Sequence, residues 1–271
     1  MPGRERAYRT EAIILRRQDF GEADRILTVL TPEYGKLRLL AKGVRRPSSR
    51  KAGHLEPFTR VDLLIARGRN LDLITQAESR WVFASRGADL IRFGCVSYVA
   101  EALDRFTVEE GESHQFYALL RRTMERLESE VEPGMVLRYF DLELLDTAGF
   151  RPSLFHCVGC GEEIKAEDQF FSSQDGGVLC PQCGKRAQHV RPISLSALKV
   201  LRYFQREPFQ KIAGLKLRDE TLTELELLLE TYFNTILERR LNTPTFIRQV
   251  EELKQKRRFA YQQSEKLIHR D

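Results

Sequence analysis

Two pairs of cysteines constrain the fold of this chain more than any other feature of its sequence. Cys157 and Cys160 stand in "CVGC", Cys180 and Cys183 stand in "CPQC", and residues 161–179 lie between the pairs. Zinc prefers a tetrahedron of soft ligands, which two C-x-x-C turns supply. Four of the five cysteines fall in these pairs, which indicates metal ligation in a reducing compartment rather than a disulfide framework. The spacing predicts one structural zinc ion; the alternative is two unrelated cysteine turns.

The residues beside the cysteine pairs bear on how such a site is built. Gly161 and Gly184 follow the two pairs and are expected to let the chain turn tightly back under the sulfur atoms. His156 and His189 flank the pairs and could each replace a thiolate, but they are expected to lie at the surface or behind the ligands. Four thiolates close the coordination sphere of zinc, whereas a catalytic zinc keeps one position open.

The sequence contains no motif typical of an enzyme. It has no Walker loop, no dinucleotide-binding glycine fingerprint, no nucleophile elbow and no H-E-x-x-H helix. We therefore expect neither catalysis nor a small-molecule substrate. A zinc-dependent nuclease or deaminase is a competing class; it would need an open metal position and a general base, so that mutation of His156 or His189 would abolish turnover.

Short apolar runs separated by turn signals fill the first part of the chain. Five of these runs are rich in isoleucine, leucine and valine, which is typical of strands: residues 11–15, 25–30, 36–42, 60–66 and 71–75. Five short strands within about 80 residues predict a small barrel, and the OB-fold is the leading candidate.

The apolar spacing becomes helical after the fifth of these runs. One helical stripe includes Cys95 and Leu103, and another helix is expected to end at Gly149, which can adopt a left-handed cap. Thr221 and Glu224 have the spacing of a capping box at the start of a later helix. These stripes predict a shared apolar core rather than a cofactor pocket.

The patterns together predict an α+β multidomain chain. An N-terminal OB-fold barrel is followed by a helical domain, which a four-cysteine zinc finger interrupts. The barrel, the first helical part, the zinc finger, the second helical part and the C-terminal tail are predicted at residues 1–82, 83–151, 152–192, 193–258 and 259–271.

Positive charge is concentrated in the predicted barrel. Residues 1–80 carry 17 basic and 10 acidic residues, residues 81–151 carry 8 and 13, and the remainder carries 19 and 16. Alternation along a strand places Lys36, Arg38 and Lys42 on one face and apolar side chains on the other. A loop punctuated by glycine, proline and serine then continues the run of cations.

A phosphate backbone is the expected partner of this surface, because each neutralised phosphate releases condensed counterions. The residues expected to contact nucleic acid are Lys36, Arg38, Lys42, Arg45, Arg46, Arg50, Lys51, Arg67 and Arg69. Residues 35–57 contain no aromatic side chain, although Phe20 lies in another turn. A surface that relies on charge more than on stacking should bind duplex as well as single strands, with a log–log salt slope of about −6 for seven contacts. A zinc-ribbon transcription or RNA-binding module is the alternative, and it would show sequence preference or a requirement for the 2′-hydroxyl.

Three segments carry a resemblance to a known family: "GEADRILT", "AKGVRRPSSR" and "GFRPSLFHCVGCGE". Over essentially its whole length the chain resembles the RecO family of bacterial DNA repair and recombination mediators. The resemblance implies an N-terminal OB-fold, a helical domain and a zinc-finger insertion. RecO-like proteins bind single- and double-stranded DNA, anneal complementary strands, and act with RecR to help replace single-strand-binding protein with RecA. The basic barrel surface of the family corresponds here to Arg38, Lys42, Arg45, Arg46, Arg50 and Lys51.

Targeting signals and the remaining charged segments give further expectations. The N-terminus has no apolar signal segment, and no uninterrupted apolar stretch reaches about 18 residues, so we expect a cytoplasmic, nucleoid-associated protein without membrane partners. Segment 81–151 has a net negative charge and is not expected to extend the cationic surface. It is expected to form either a docking face for protein partners or an ordinary solvated surface. The segment "KQKRR" at 254–258 could add DNA contacts, but a solvated end is expected.

Overall fold

The fold is known from a computed structural model of the chain. The structure describes residues 6–84, 89–109, 111, 113–129, 131–250 and 252–253. The basic segment 254–258 and the predicted C-terminal tail therefore lie outside the described residues. Among the described residues, no helix combines the length and the apolar character needed to cross a bilayer.

Five strands form the N-terminal sheet, as the five apolar runs predict. They are β1 (Ala7–Phe20), β2 (Asp24–Thr31), β3 (Gly35–Ala41), β4 (Thr59–Ala66) and β5 (Asp72–Val82). β1 and β5 extend well beyond the predicted runs, because their exposed ends alternate less clearly in hydrophobicity. The strands pair in the order β1-β2-β3-β5-β4, and β1 also pairs with β4, so that the sheet closes into a barrel. All pairs are antiparallel except the short pair of β3 with β5.

The barrel has an apolar interior and one apolar patch on its outside. Leu27, Val29 and Leu39 belong to the interior cluster, together with alternate residues of β4. Ile13 and Leu30 point outward instead and are buried in the core of the helical part of the chain. Burial on both sides of these strands fixes their register, since a shift by one residue would exchange the two sets of side chains.

Three helices follow the barrel, and the first two of them pack against β1 and β2. They are α1 (Leu90–Phe106), α2 (His114–Glu128) and α3 (Pro133–Thr147). The carboxylate of Asp89 accepts a hydrogen bond from the backbone N–H of Ile91 at the start of α1, and the Cys95 stripe is buried as predicted. Gly149, with φ 83°, follows the end of α3, so the predicted left-handed stop is confirmed.

The cysteine segment and the remaining helices complete the structure. β6 (Gln169–Ser172), β7 (Gly177–Leu179) and β8 (Val190–Ile193) form an antiparallel sheet in the order β7-β6-β8. The helices are α4 (Pro181–Gly184), α5 (Leu195–Arg206), α6 (Phe209–Ile212) and α7 (Asp219–Leu237), and residues 243–250 are also helical.

The predicted capping box at Thr221 is wrong. α7 begins at Asp219, and Thr221 is a buried residue of its first turn. The carboxylate of Glu224 accepts hydrogen bonds from the backbone N–H and the hydroxyl of Ser194, which is itself the N-cap of α5. Glu224 therefore stabilises the start of α5 through a tertiary contact, instead of the start of its own helix.

The cysteine segment shares one apolar core with the helices. The Phe171 ring of β6 packs against the Tyr232 ring of α7, with 5.5 Å between centroids. The Tyr232 hydroxyl donates a hydrogen bond to the carbonyl oxygen of Phe150. Val178 and Ile193 of the small sheet are buried in the same cluster as the helical side chains. The stability of the helical part is therefore coupled to the folding of the cysteine segment.

Candidate metal centre and nucleic-acid interface

The structure brings the four paired cysteines together. Cys157 and Cys160 lie on one turn, Cys180 precedes α4, and Cys183 lies within that helix. Their four Sγ atoms lie within 4.8 Å of one another, and 3.9 Å separates the Sγ atoms of Cys160 and Cys180. Four sulfur donors that converge at this distance can hold one metal ion, and thiolate donors favour a soft or borderline metal.

Backbone amides around Cys157 favour the thiolate that a metal requires. Burial of Cys157 raises the pKa of its thiol, but hydrogen bonds from the backbone N–H groups of Cys180, Cys160 and Gly159 outweigh burial and lower the pKa to about 6. The amide of Cys180 lies 3.3 Å from the Cys157 Sγ. The turn thus supplies positive dipoles beside the site of negative charge.

The two glycines after the cysteine pairs have different roles. Gly161 has φ 79°, a left-handed conformation that lets the first turn reverse, as predicted. Gly184, in contrast, does not have a positive φ. A Cβ atom at Gly184 would lie 2.2 Å from the Phe170 ring, so this glycine is required for close packing of α4 on β6. The chain does turn at Gly184, whose backbone N–H donates a hydrogen bond to the carbonyl oxygen of Cys180 at 2.8 Å, but without the left-handed conformation of Gly161.

Both flanking histidines lie outside the cysteine cluster. His156 and His189 are exposed, and the metal-ligand cluster found among the described residues contains cysteines alone. Neither histidine has a described contact with a sulfur ligand. The geometry supports a closed four-thiolate site.

The cationic side of the predicted strand β3 faces outward from the barrel. Arg16 of β1 pairs with Thr28 of β2, and Thr28 pairs with Arg38 of β3. Directly opposite residues share a face, so these three side chains form one row across the sheet. At the far end of the same face Phe20 pairs with Asp24, and Lys42 follows the last residue of β3. We call this surface, from the Arg16 row to Phe20 and Lys42, the barrel face.

The basic loop after β3 is held against one edge of the barrel face. The backbone N–H of Gly43 donates a hydrogen bond to Asp24 Oδ1, and that of Arg45 donates to the carbonyl oxygen of Ala23. The Arg45 guanidinium donates to the carbonyl oxygen of Gly21. These contacts position the loop cations beside the turn that follows Phe20, which is the last residue of β1 and not the turn residue that the sequence suggests.

Four of the predicted cations are engaged within the protein. The Lys36 ammonium lies 3.2 Å from Asp104 Oδ1, and its side chain is 11% exposed. The Lys51 ammonium donates to the carbonyl oxygen of Ile74, and burial lowers the pKa of Lys51. Two arginines lie near carboxylates: Arg45 near Asp19, at 3.5 Å, and Arg67 near Asp72, at 3.8 Å.

Five of the predicted cations are exposed and unpaired within the part of the chain that the structure describes: Arg38, Lys42, Arg46, Arg50 and Arg69. An unpaired exposed guanidinium or ammonium can bind a phosphate without first breaking an internal contact. The available charge is therefore concentrated on the barrel face, the loop after β3 and the turn before β5.

Two residues of the barrel face were not among the predicted site residues. The side chain of Arg16 is 54% exposed and Phe20 is 51% exposed, both on β1. The apolar run predicts a strand that ends at residue 15, whereas β1 continues to Phe20. The strand register shifts between Ile14 and Arg16, so a strict period of two could not place the later residues on the correct face.

Comparison with known proteins adds family relationships to this geometry. Residues 6–83 match the family described as recombination protein O N terminal, and residues 87–244 match the family described as recombination protein O C terminal. The chain is 41% identical over 250 residues to the DNA repair protein RecO of Roseiflexus sp. strain RS-1; the alignment covers 92% of this chain and 88% of the relative. It is 36% identical over 232 residues to the DNA repair protein RecO of a Dehalococcoides mccartyi strain; the alignment covers 86% of this chain and 91% of the relative.

Proposed function

The chain belongs to the RecO family of DNA repair proteins, and from that premise we propose that it is a non-enzymatic mediator of recombination. It binds single- and double-stranded DNA, anneals complementary strands and, together with RecR, helps RecA to load on DNA coated by single-strand-binding protein. It acts in the cytoplasm, at the nucleoid. The observation that carries the proposal is the barrel face, where Arg38 and Lys42, which have no ion pair with any described residue, adjoin the loop that bears Arg46 and Arg50.

The strand order supports a nucleic-acid function for this face. A closed sheet in the order β1-β2-β3-β5-β4 is the arrangement expected of an OB-fold, a barrel that binds oligonucleotides over strands 2 and 3 and the adjoining loops. The exposed side of β3 is the side that carries Arg38. The charge and the fold therefore point to the same surface.

An electrostatic mechanism suffices for annealing. Two complementary strands repel each other through their phosphates, and this repulsion slows their encounter. A cationic surface that contacts both backbones lowers the repulsion, and base pairing then supplies specificity. Neither step requires a bond to be made or broken by the protein. We propose that the barrel face and the loop after β3 provide this surface.

The metal centre supports the structure in this proposal. Zinc fits the four thiolates, since four soft donors without an open position define a structural site. Cys157, Cys160, Cys180 and Cys183 would hold the ion. The ion would fix the turn and α4 against β6, where Phe170 packs on Gly184.

An annealing assay tests the proposed function. Two complementary oligonucleotides are each coated with single-strand-binding protein, and duplex formation is followed with and without the folded protein at increasing salt. We expect the protein to accelerate annealing, and we expect the acceleration to fall steeply as salt rises. Absence of acceleration, combined with a requirement for RNA 2′-hydroxyls in binding, would instead support an RNA-binding module.

Phe20 is expected to distinguish single strands from duplex. Its ring is exposed beside the loop cations and can stack on an unpaired base, whereas bases within a duplex are already stacked. Phe20→Leu should lower affinity for a single-stranded oligonucleotide at least about fivefold, because each stacked base contributes about 1–3 kcal/mol. Fluorescence anisotropy with matched single and double strands measures the effect.

Phe20→Tyr is the matched control, since it keeps an aromatic ring at this position. It should retain the affinity of the unmodified protein for single strands, and both variants should bind duplex normally. Equal affinity of the leucine variant and the tyrosine variant for single strands would rule out stacking at Phe20.

A further inference from the structure

A groove separates the barrel face from the helical part of the chain. Its barrel wall carries Arg16 and Arg38, next to the engaged Lys36. Its opposite wall carries Arg105 from the last turn of α1 and Arg239 from the segment that follows α7. Cations from distant parts of the sequence therefore converge on one depression.

The negative groups in the groove do not cancel this charge. Asp104 and Glu109 also line it, against five cations. Asp104 is already compensated, because Arg16 Nε lies 3.1 Å from its Oδ2 and Lys36 Nζ lies 3.2 Å from its Oδ1. The excess positive charge is left on the guanidinium groups at the mouth of the groove.

The two helical-side arginines are available for an external partner. Arg105 lies 3.9 Å from Glu101, a contact at the limit of an ion pair. The Glu101 carboxylate is engaged more closely by the backbone N–H groups of Asn242 and Thr243, each at 2.9 Å. Arg239 is exposed, and it follows Glu238, whose left-handed φ of 53° turns the chain at the end of α7. No ion pair of Arg239 occurs within the described ranges.

The groove is continuous with the barrel face. Arg16 and Arg38 belong to both, and their row lies four residues along β1 from Phe20. At a strand rise of about 3.3 Å per residue, the path from the Phe20 end to the groove is about 13 Å. A strand bound along the barrel face would therefore reach the groove after a few nucleotides.

We propose that this groove binds the phosphate backbone of a single strand that continues from the barrel face, with Arg105 and Arg239 as additional phosphate contacts. The inference rests on the proposed DNA-binding function and extends its site into the helical part of the chain. Clustered, exposed guanidinium groups bind phosphate well, because they match its geometry and charge. The groove continues the barrel face, so one nucleic-acid strand could supply phosphates to both surfaces. The acidic segment 81–151 then contributes to the cationic surface through Arg105, contrary to the expectation from its net charge.

The test compares oligonucleotides of two lengths. One of about 3 nucleotides, at about 3.4 Å per nucleotide, does not extend from the Phe20 end into the groove, and one of about 25 nucleotides extends through it. For the double variant R105A/R239A we expect unchanged affinity for the short oligonucleotide and at least about a fivefold loss for the long one. Its salt slope with the long oligonucleotide should decrease by about 1.4, for two lost contacts with a single strand.

A second double variant, R121A/K199A, controls for net charge. It removes two exposed cations from α2 and α5, away from the groove, and should bind both lengths like the unmodified protein. Thermal unfolding checks that both variants are folded. If R105A/R239A binds the long oligonucleotide as R121A/K199A does, or loses affinity equally for both lengths, the groove does not bind the strand. If the unmodified protein binds neither length, the DNA-binding function itself fails.

Discussion

Cys157→Ser is expected to release the metal ion and to unfold the segment that packs around it. Cys157 is 2% exposed and lies in the shared core of the cysteine segment and the helices. A structural zinc site contributes its binding free energy to folding. We expect a loss of about 4 kcal/mol or more, equivalent to a decrease in Tm of about 10 °C for a chain of this size. Metal analysis should find one zinc ion in the unmodified protein and none in the variant.

The fifth cysteine provides the control for this experiment. Cys95 lies in α1, outside the metal cluster, so Cys95→Ala should keep one zinc ion and lower Tm only slightly. Hydrogen exchange should locate the damage in Cys157→Ser. Amides of β6, β7 and α7 should lose protection, whereas the barrel has its own interior cluster and should keep it. A serine variant with one bound zinc and an unchanged Tm would exclude a four-cysteine structural site.

Removal of the free loop cations is expected to abolish annealing. Lys42, Arg46 and Arg50 are exposed without ion pairs to the described residues, so their replacement by alanine should leave the fold intact. Arg38, Lys42, Arg46, Arg50 and Arg69 should together contribute about −3.5 to the log–log salt slope with single strands, in addition to any contribution of Arg105 and Arg239. The triple variant should show a slope that is shallower by about 2.1, for three lost contacts, and at least about a 30-fold lower affinity near 0.1 M salt.

A second triple variant separates local contacts from total charge. R121A/K199A/K216A removes the same charge from exposed helical and loop positions outside the barrel face. This control should anneal strands coated by single-strand-binding protein at the rate of the unmodified protein. Equal loss of annealing in both triple variants would show that long-range attraction, rather than the loop after β3, is responsible.

The sequence by itself identified the four cysteines that converge and the types of secondary structure. Both cysteine pairs are local turns, so their spacing alone places two thiolates of each pair side by side. The five strands and the helical stripes follow from periodic burial, which is a property of consecutive residues. The glycine stop at Gly149 is equally local. Each of these features depends on interactions between residues that are close in the sequence, so a short stretch of sequence is sufficient to predict it.

Only the tertiary structure decided which cations are available and which surface they share. Lys36 and Arg38 are equivalent in the alternation of β3, but Asp104 of α1 engages Lys36 and leaves Arg38 open. Glu224 forms a contact with Ser194 instead of the predicted cap. The ring of Phe170 packs so close to Gly184 that it leaves no space for a Cβ atom there. Arg105 and Arg239 reach the barrel face only because the helices pack against the outside of the barrel. Coulomb attraction and close packing depend on distance in space, which no short stretch of sequence determines.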